Sequence, residues 1–367
     1  MKKSLAVIII ALIMSSSCAT HKQKKGFGRQ PVEDISTDKA IALFPIKQNG
    51  EWGYIDRQGR VAIEPRFDDA RGFSEGMAAI AVSDNGKMKW GYINPNGRIV
   101  IELEFDAAYS FSEGLALIVL DGEHGYINSQ GQIVIEPQFG LSQSFSDGLA
   151  LVTTHPTRLG PIVLNESRTF FIDKQGQRLG DNIYDDGRSF SEGLASVSIG
   201  SKWGCIDKTG KVAFEAKFDW VERFSEGFAA VKVRNSSGER WGYIDKNGQT
   251  VVRPQYRAAG EFSEGLAPIQ IGDKWGYIDK AGNKIIDTKF RYAGRFSEGR
   301  AKVMDDYGNY GFIDSSGYFV VNPDFFPLVD DFSQGMALIR LTSREQPFDT
   351  KYGYIEASGK YVWFPTN

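Results

Sequence analysis

The side chains that could do chemistry come in repeated pairs. Ser-Glu recurs inside the phrase Phe-Ser-Glu-Gly, as in Ser263-Glu264 and Ser297-Glu298. The final glycines of its eight copies are Gly76, Gly114, Gly148, Gly193, Gly227, Gly265, Gly299 and Gly335. A serine beside a carboxylate suggests a hydrolytic nucleophile, but the hydroxyl needs a base such as histidine set against it. The three histidines, His21, His124 and His155, do not recur with the motif. Eight equivalent sites also differ from one converged constellation, and Gln334 replaces the carboxylate in the last copy. The expected role is structural: Ser and Glu bond backbone N–H groups at a turn, Gly takes the left-handed region and Phe plugs the core.

A second set of acids, Asp56, Asp173, Asp207, Asp245, Asp279 and Asp314, stands in Ile-Asp-x-x-Gly turns. A calcium array needs several oxygens per loop, and here each turn offers one acid. The histidines are too few and too scattered for a metal cluster. Cys205 lies inside a strand pattern and is expected to be a small buried residue. No catalytic residue, cofactor or metal ligand is therefore expected. The Trp of Trp-Gly, replaced by His124, Thr169, Tyr310 and Tyr352, is read as a packing residue stacked on its equivalent in the next unit, not as a sugar-binding platform.

These residues are positioned by a repeat of about 35 residues. The glycine of Trp-Gly falls at Gly53, Gly91, Gly125, Gly204, Gly242, Gly276, Gly311 and Gly353, with Phe170 there in a ninth, degenerate copy. From that position to the glycine of Phe-Ser-Glu-Gly is 23 residues in seven units and 24 in the eighth. From there to the next Trp-Gly the spacing runs from 11 to 22 residues, so length variation is confined to one solvent-facing loop. Leu266 to Ile271 alternates with period two, Trp-Gly-Tyr-Ile-Asp is rich in strand formers, and Ile133 to Phe139 is a third strand. A proline recurs there (Pro65, Pro137, Pro254, Pro323), which marks a strand end or an unpaired edge. The expected fold is all-β: a tandem array of about nine three-stranded meanders. An open, solenoid-like array is preferred to a closed propeller-like ring, because propellers have four to eight blades of four strands.

The 367 residues carry a net charge of −3, which argues against nucleic-acid binding. Met1-Lys2-Lys3 and the apolar run Leu5 to Met14 form a secretory signal too short to span a bilayer. Ser15-Ser16-Ser17-Cys18 resembles a bacterial lipoprotein signal, which implies cleavage after residue 17 and lipidation of Cys18. Ser15 departs from the leucine usual there. Residues 18–39 read as a flexible polar tether and 40–367 as the repeat array.

Trp-Gly-Tyr-Ile-Asp-x-x-Gly followed by Phe-Ser-Glu-Gly resembles the bacterial WG repeat, or KWG repeat, whose lysine appears as Lys89, Lys202 and Lys274. The resemblance implies a β-rich array and transfers no catalytic residues. The expected function is a non-enzymatic, lipid-anchored protein of the bacterial cell envelope, with the outer membrane preferred to the inner. Its surface would bind envelope proteins or cell-wall polymer. Specificity is expected in Ala150–Arg168 and Leu338–Lys351. The alternatives are a hydrolase built from those two loops and a purely structural spacer.

Overall fold

The computed structural model describes residues 42–366 except 160–161, 237, 327 and 343–349. The signal (1–17), Cys18 and the tether (18–39) lie outside the described residues. Among the described residues, nine antiparallel sheets of three or four strands follow one another, one per repeat, beside a two-stranded inserted hairpin. Most have four strands, not three. In the seventh sheet they are Ala258–Ala259, Leu266–Ile271, Lys274–Asp279 and Lys284–Phe290, in that order. The short first strand is the crossing read from sequence as a connection. It runs back along the second strand, pairing Ala258 with Gln270 and Ala259 with Ile269. The first sheet (Phe44–Gln48, Glu51–Ile55, Val61–Phe67) lacks this piece, and the fourth (Leu141–Ser142, Leu149–Thr153, Thr169–Asp173) lacks a regular outer strand.

Burial follows strand position. Leu266, Ala267, Pro268 and Ile269 of the second strand are all buried, so both of its faces meet neighbours. The outer strand alternates, with Ile286 and Phe290 buried and Ile285 exposed. Apolar cores lie between successive sheets. One unites Tyr243, Val252 and Tyr256 of the sixth sheet with Phe262, Ala267 and Ile269 of the seventh unit.

The Phe-Ser-Glu-Gly phrase makes a two-residue hairpin of the primed type, with Glu264 at φ 55° and Gly265 at φ 82°. Ser263 N–H donates to Leu266 O at 2.9 Å and Leu266 N–H returns the bond at 3.2 Å. The side chains reach forward, which corrects the expectation that they serve their own turn. Ser263 Oγ donates to Phe296 O of the next unit at 2.7 Å, and Glu264 accepts from Gly299 N–H at 2.9 Å. The same hand-off recurs from Ser74 and Glu75 onward to Ser297 and Glu298.

The array is closed, which overturns the open solenoid. Phe44, Ile46 and Ile55 of the first sheet share a core with Met336 and Tyr354 of the ninth. Trp52 meets Tyr352 with ring centroids 4.9 Å apart, and Tyr354 Oη donates to Pro45 O at 2.9 Å. Nine sheets with apolar faces on both sides would leave two faces wet in an open array, and closure buries both. We expect Tyr354→Phe to lower stability by about 1 kcal/mol in urea unfolding. An open array would register no change.

Candidate functional site

An antiparallel meander sends alternate connections to opposite ends of its sheet. The Glu-Gly hairpins and the Ile-Asp turns therefore share one end. Ion pairs between neighbouring units mark it: Lys174 with Glu113 at 3.3 Å, Lys246 with Glu192 at 3.1 Å and Lys280 with Glu226 at 3.1 Å. The turns there are uniform. Asp279 accepts backbone N–H bonds from Ala281 and Asn283 at 3.0 and 2.8 Å, and Gly282 sits at φ 85°. Their acids are occupied by their own turns.

The other end carries the connections whose length varies. They range from the tight turn at Gly272 to the inserted hairpin Thr157–Leu159 with Ile162–Asn165, which forms a sheet of its own. Two boundaries read from sequence need correction. Ala150–Thr153 belongs to the strand Leu149–Thr153, and Leu338–Thr342 to the strand Met336–Thr342. Both segments carry buried aliphatics, among them Ala150, Leu151, Val152 and Ile339. Residues 343–349 lie outside the described residues. Apolar side chains stand exposed at this end, notably Tyr307 (89%) and Leu141 (65%), with Ile199, Ile271 and Leu328 near half.

Ion pairs tie neighbouring units at this end also. Lys89 Nζ lies 2.7 Å from Asp106, and Lys202 Nζ lies 2.9 Å from Asp219. The hydrogen bond from each lysine holds its partner carboxyl below the usual carboxylate range. Cations also sit on aromatic rings. The Arg71 guanidinium is 5.0 Å from the Trp90 ring and 4.7 Å from Tyr109, and that of Arg188 is 4.5 Å from Trp220 and 5.8 Å from Trp203. Sequence reasoning missed these pairs, because the arginines lie in the crossing far from the tryptophans they cover.

The ladder of equivalent tryptophans is corrected. Trp203 packs on Trp220 at 4.8 Å and Trp275 on Tyr292 at 6.3 Å, both partners lying in the next unit's crossing. Equivalents meet at the closure, as Trp52 and Tyr352. The recurring contact is the tyrosine of Trp-Gly-Tyr against the next unit's Phe. Tyr54–Phe73, Tyr92–Phe111, Tyr126–Phe145 and Tyr277–Phe296 have centroids 4.8 to 5.0 Å apart. Cys205, at a tyrosine position, is buried, and burial pushes its thiol up to about 12, so it stays protonated and unreactive at neutral pH. Asn182, Ile183 and Tyr184 line a cleft with Val197, Ile199 and Val212, where the fourth sheet lacks its regular outer strand. Among the described residues, no three His, Cys, Asp or Glu side chains are grouped to hold a metal.

A family model described as a WG containing repeat matches residues 52–87, 90–123, 125–154, 170–203, 203–235, 241–275 and 275–307. Among solved structures, one described as a eukaryotic initiation factor is 14% identical. It superposes over 90% of this chain and 97% of its own with a TM-score of 0.62, which shows a shared fold. BamB from Moraxella catarrhalis (12% identity, 78% and 95% coverage, TM-score 0.42) is also similar. So is the computationally designed Ika8 protein (11%, 89% and 100%, TM-score 0.43). No curated protein matches the chain.

Proposed function

The chain belongs to the WG-containing repeat family, and on that footing we propose that it is a non-enzymatic, lipid-anchored protein of the bacterial cell envelope. In this reading the nine-bladed ring is a scaffold that offers one end to envelope proteins or cell-wall polymer. The observation that carries it is the segregation of the two ends. Constant turns and their ion pairs occupy one, while the inserted hairpin and the exposed Tyr307, Leu141 and Ile271 occupy the other. Evolvable binding surfaces sit on variable loops held by a rigid frame. The anchor rests on Ser15-Ser16-Ser17-Cys18.

The test is a cross-linking capture from envelope extract with the anchor intact, comparing the natural chain with a Tyr307→Ala, Leu141→Asp, Ile271→Asp triple variant. A partner saturably captured by the first and lost at least ten-fold by the second is the expected result. Equal capture by both would remove the hairpin end as the binding surface. Cys18→Ala should move the protein out of the membrane fraction, and retention there would refute the anchor.

A further inference from the structure

Both described histidines meet at one joint, between the third and fourth units. At two other joints the same place holds a pair that stays charged. The residue before the tryptophan is a lysine in Lys89 and Lys202, and it pairs with the aspartate that follows the outer strand, Asp106 and Asp219. Between units three and four both members differ. Glu123 stands at the lysine position and Gly140 at the aspartate position. His155 fills the place: its ring lies over Gly140, where an added Cβ would come within 3.0 Å of it. Its Nε2 is 2.9 Å from Glu123 Oε2. His155 is also the residue from which the inserted hairpin departs, two positions before Thr157.

We propose that this joint is a pH-responsive latch, in which charged His155 holds the base of the inserted hairpin against Glu123 and neutral His155 releases it. Histidine is the side chain whose charge changes on mild acidification, so the latch engages as the pH falls below neutral. The other groups facing His155 permit this. His124, at the tryptophan position, has its Nδ1 buried without a partner. Burial, and the His155 charge besides, hold its imidazole below the ordinary range despite Glu123. On the far limb, Arg168 N–H donates to Thr154 Oγ1 at 3.1 Å, which ties the two limbs at any pH. The latch stands whether or not the proposed envelope role does.

Hydrogen exchange of the full chain, corrected for intrinsic rates, tests it through peptides covering residues 154–169. Both members of the pair are more than a third exposed, so the effect is modest. Exchange should be roughly two- to five-fold slower at pH 5.5 than at pH 7.5. Glu123→Gln should abolish the difference. A Glu123→Lys, His155→Asp double variant, which restores a pair charged throughout, should be slow at both pH values. Equal exchange in the natural chain at the two pH values, or a difference that survives Glu123→Gln, overturns the proposal. Should Glu123→Gln fail to fold, the double variant decides it alone: a persisting pH difference there would sink the latch.

Discussion

Gly276→Ala is expected to cost about 3 kcal/mol or more, far beyond what glycine-to-alanine brings in an ordinary strand. The added Cβ would lie 2.5 Å from Ile286 O and 2.8 Å from Thr288 N, both backbone atoms of the outer strand. The register explains the crowding. Trp275 opposes Phe290 and Tyr277 opposes Ile286, so the outer strand bulges over Gly276. Gly53, Gly91, Gly125, Gly204, Gly242 and Gly311 meet the same obstruction. The protein already contains the substitution at one place. Phe170 replaces this glycine in the fourth unit, and there the outer strand survives as two isolated bridges, Thr169 to Tyr184 and Ile172 to Arg178. Gly265→Ala is the control. Its Cβ would meet nothing within 4 Å, so it should cost about 1–2 kcal/mol from its positive φ alone. Urea midpoints of the two variants check the ranking, and equal costs would refute the bulge argument.

Tyr277→Ala should be the other large loss, about 3–5 kcal/mol by urea unfolding. The ring is fully buried and meets Phe296 of the next unit edge-on at 5.0 Å. Its hydroxyl donates to Gly294 O at 2.8 Å, and burial pushes the phenol well above its ordinary range. Tyr277→Phe keeps the ring and isolates the hydrogen bond, so it should cost about 1–2 kcal/mol. Natural replacements set the comparison. At Cys205 the directly opposed Ser196 donates to Glu222 O at 3.0 Å, and at Phe312 the opposed Lys302 donates to Val329 O at 2.8 Å. The carbonyl is served by a different side chain where the tyrosine is gone. Pro268 stands opposite Tyr277 and has no such donor. Tyr277→Phe should therefore lose more than Phe312→Tyr gains.

Much of this was legible in the sequence, and the limits have physical causes. The repeat, the strands and the Ile-Asp turns were readable because each is a local pattern: period two, an acid and a glycine at fixed separation. Closure was not readable, because it depends on the angle between sheets, and no residue type encodes that angle. The two-residue strand Ala258–Ala259 was missed because two residues carry no period. The proline, read as a strand end or an unpaired edge, stands inside the outer strand, and its partner in the bulge, the glycine of Trp-Gly, was not recognised. The arginines over Trp90 and Trp203 were invisible because their contacts join sequence-distant groups. The ends of the two longest loops were misplaced where strand residues run on unbroken into the insert. The inserted hairpin's joint was hinted at by His124 and His155, whose scatter in sequence hid their meeting.

The hand-offs between Phe-Ser-Glu-Gly turns run one way. Each unit donates its serine hydroxyl to the unit that follows it and accepts that unit's glycine N–H in return. A chain leaving the ribosome thus carries, at its newest turn, one hydroxyl and one carboxylate waiting for residues not yet made. At the last turn the pattern stops. Gln334 keeps the backbone of the turn, at φ 53°, but carries no charge, and no Phe-Ser-Glu-Gly stands before Phe44 to receive it. The neutral residue marks the seam where the zip ends and the ring is shut by aromatic packing instead.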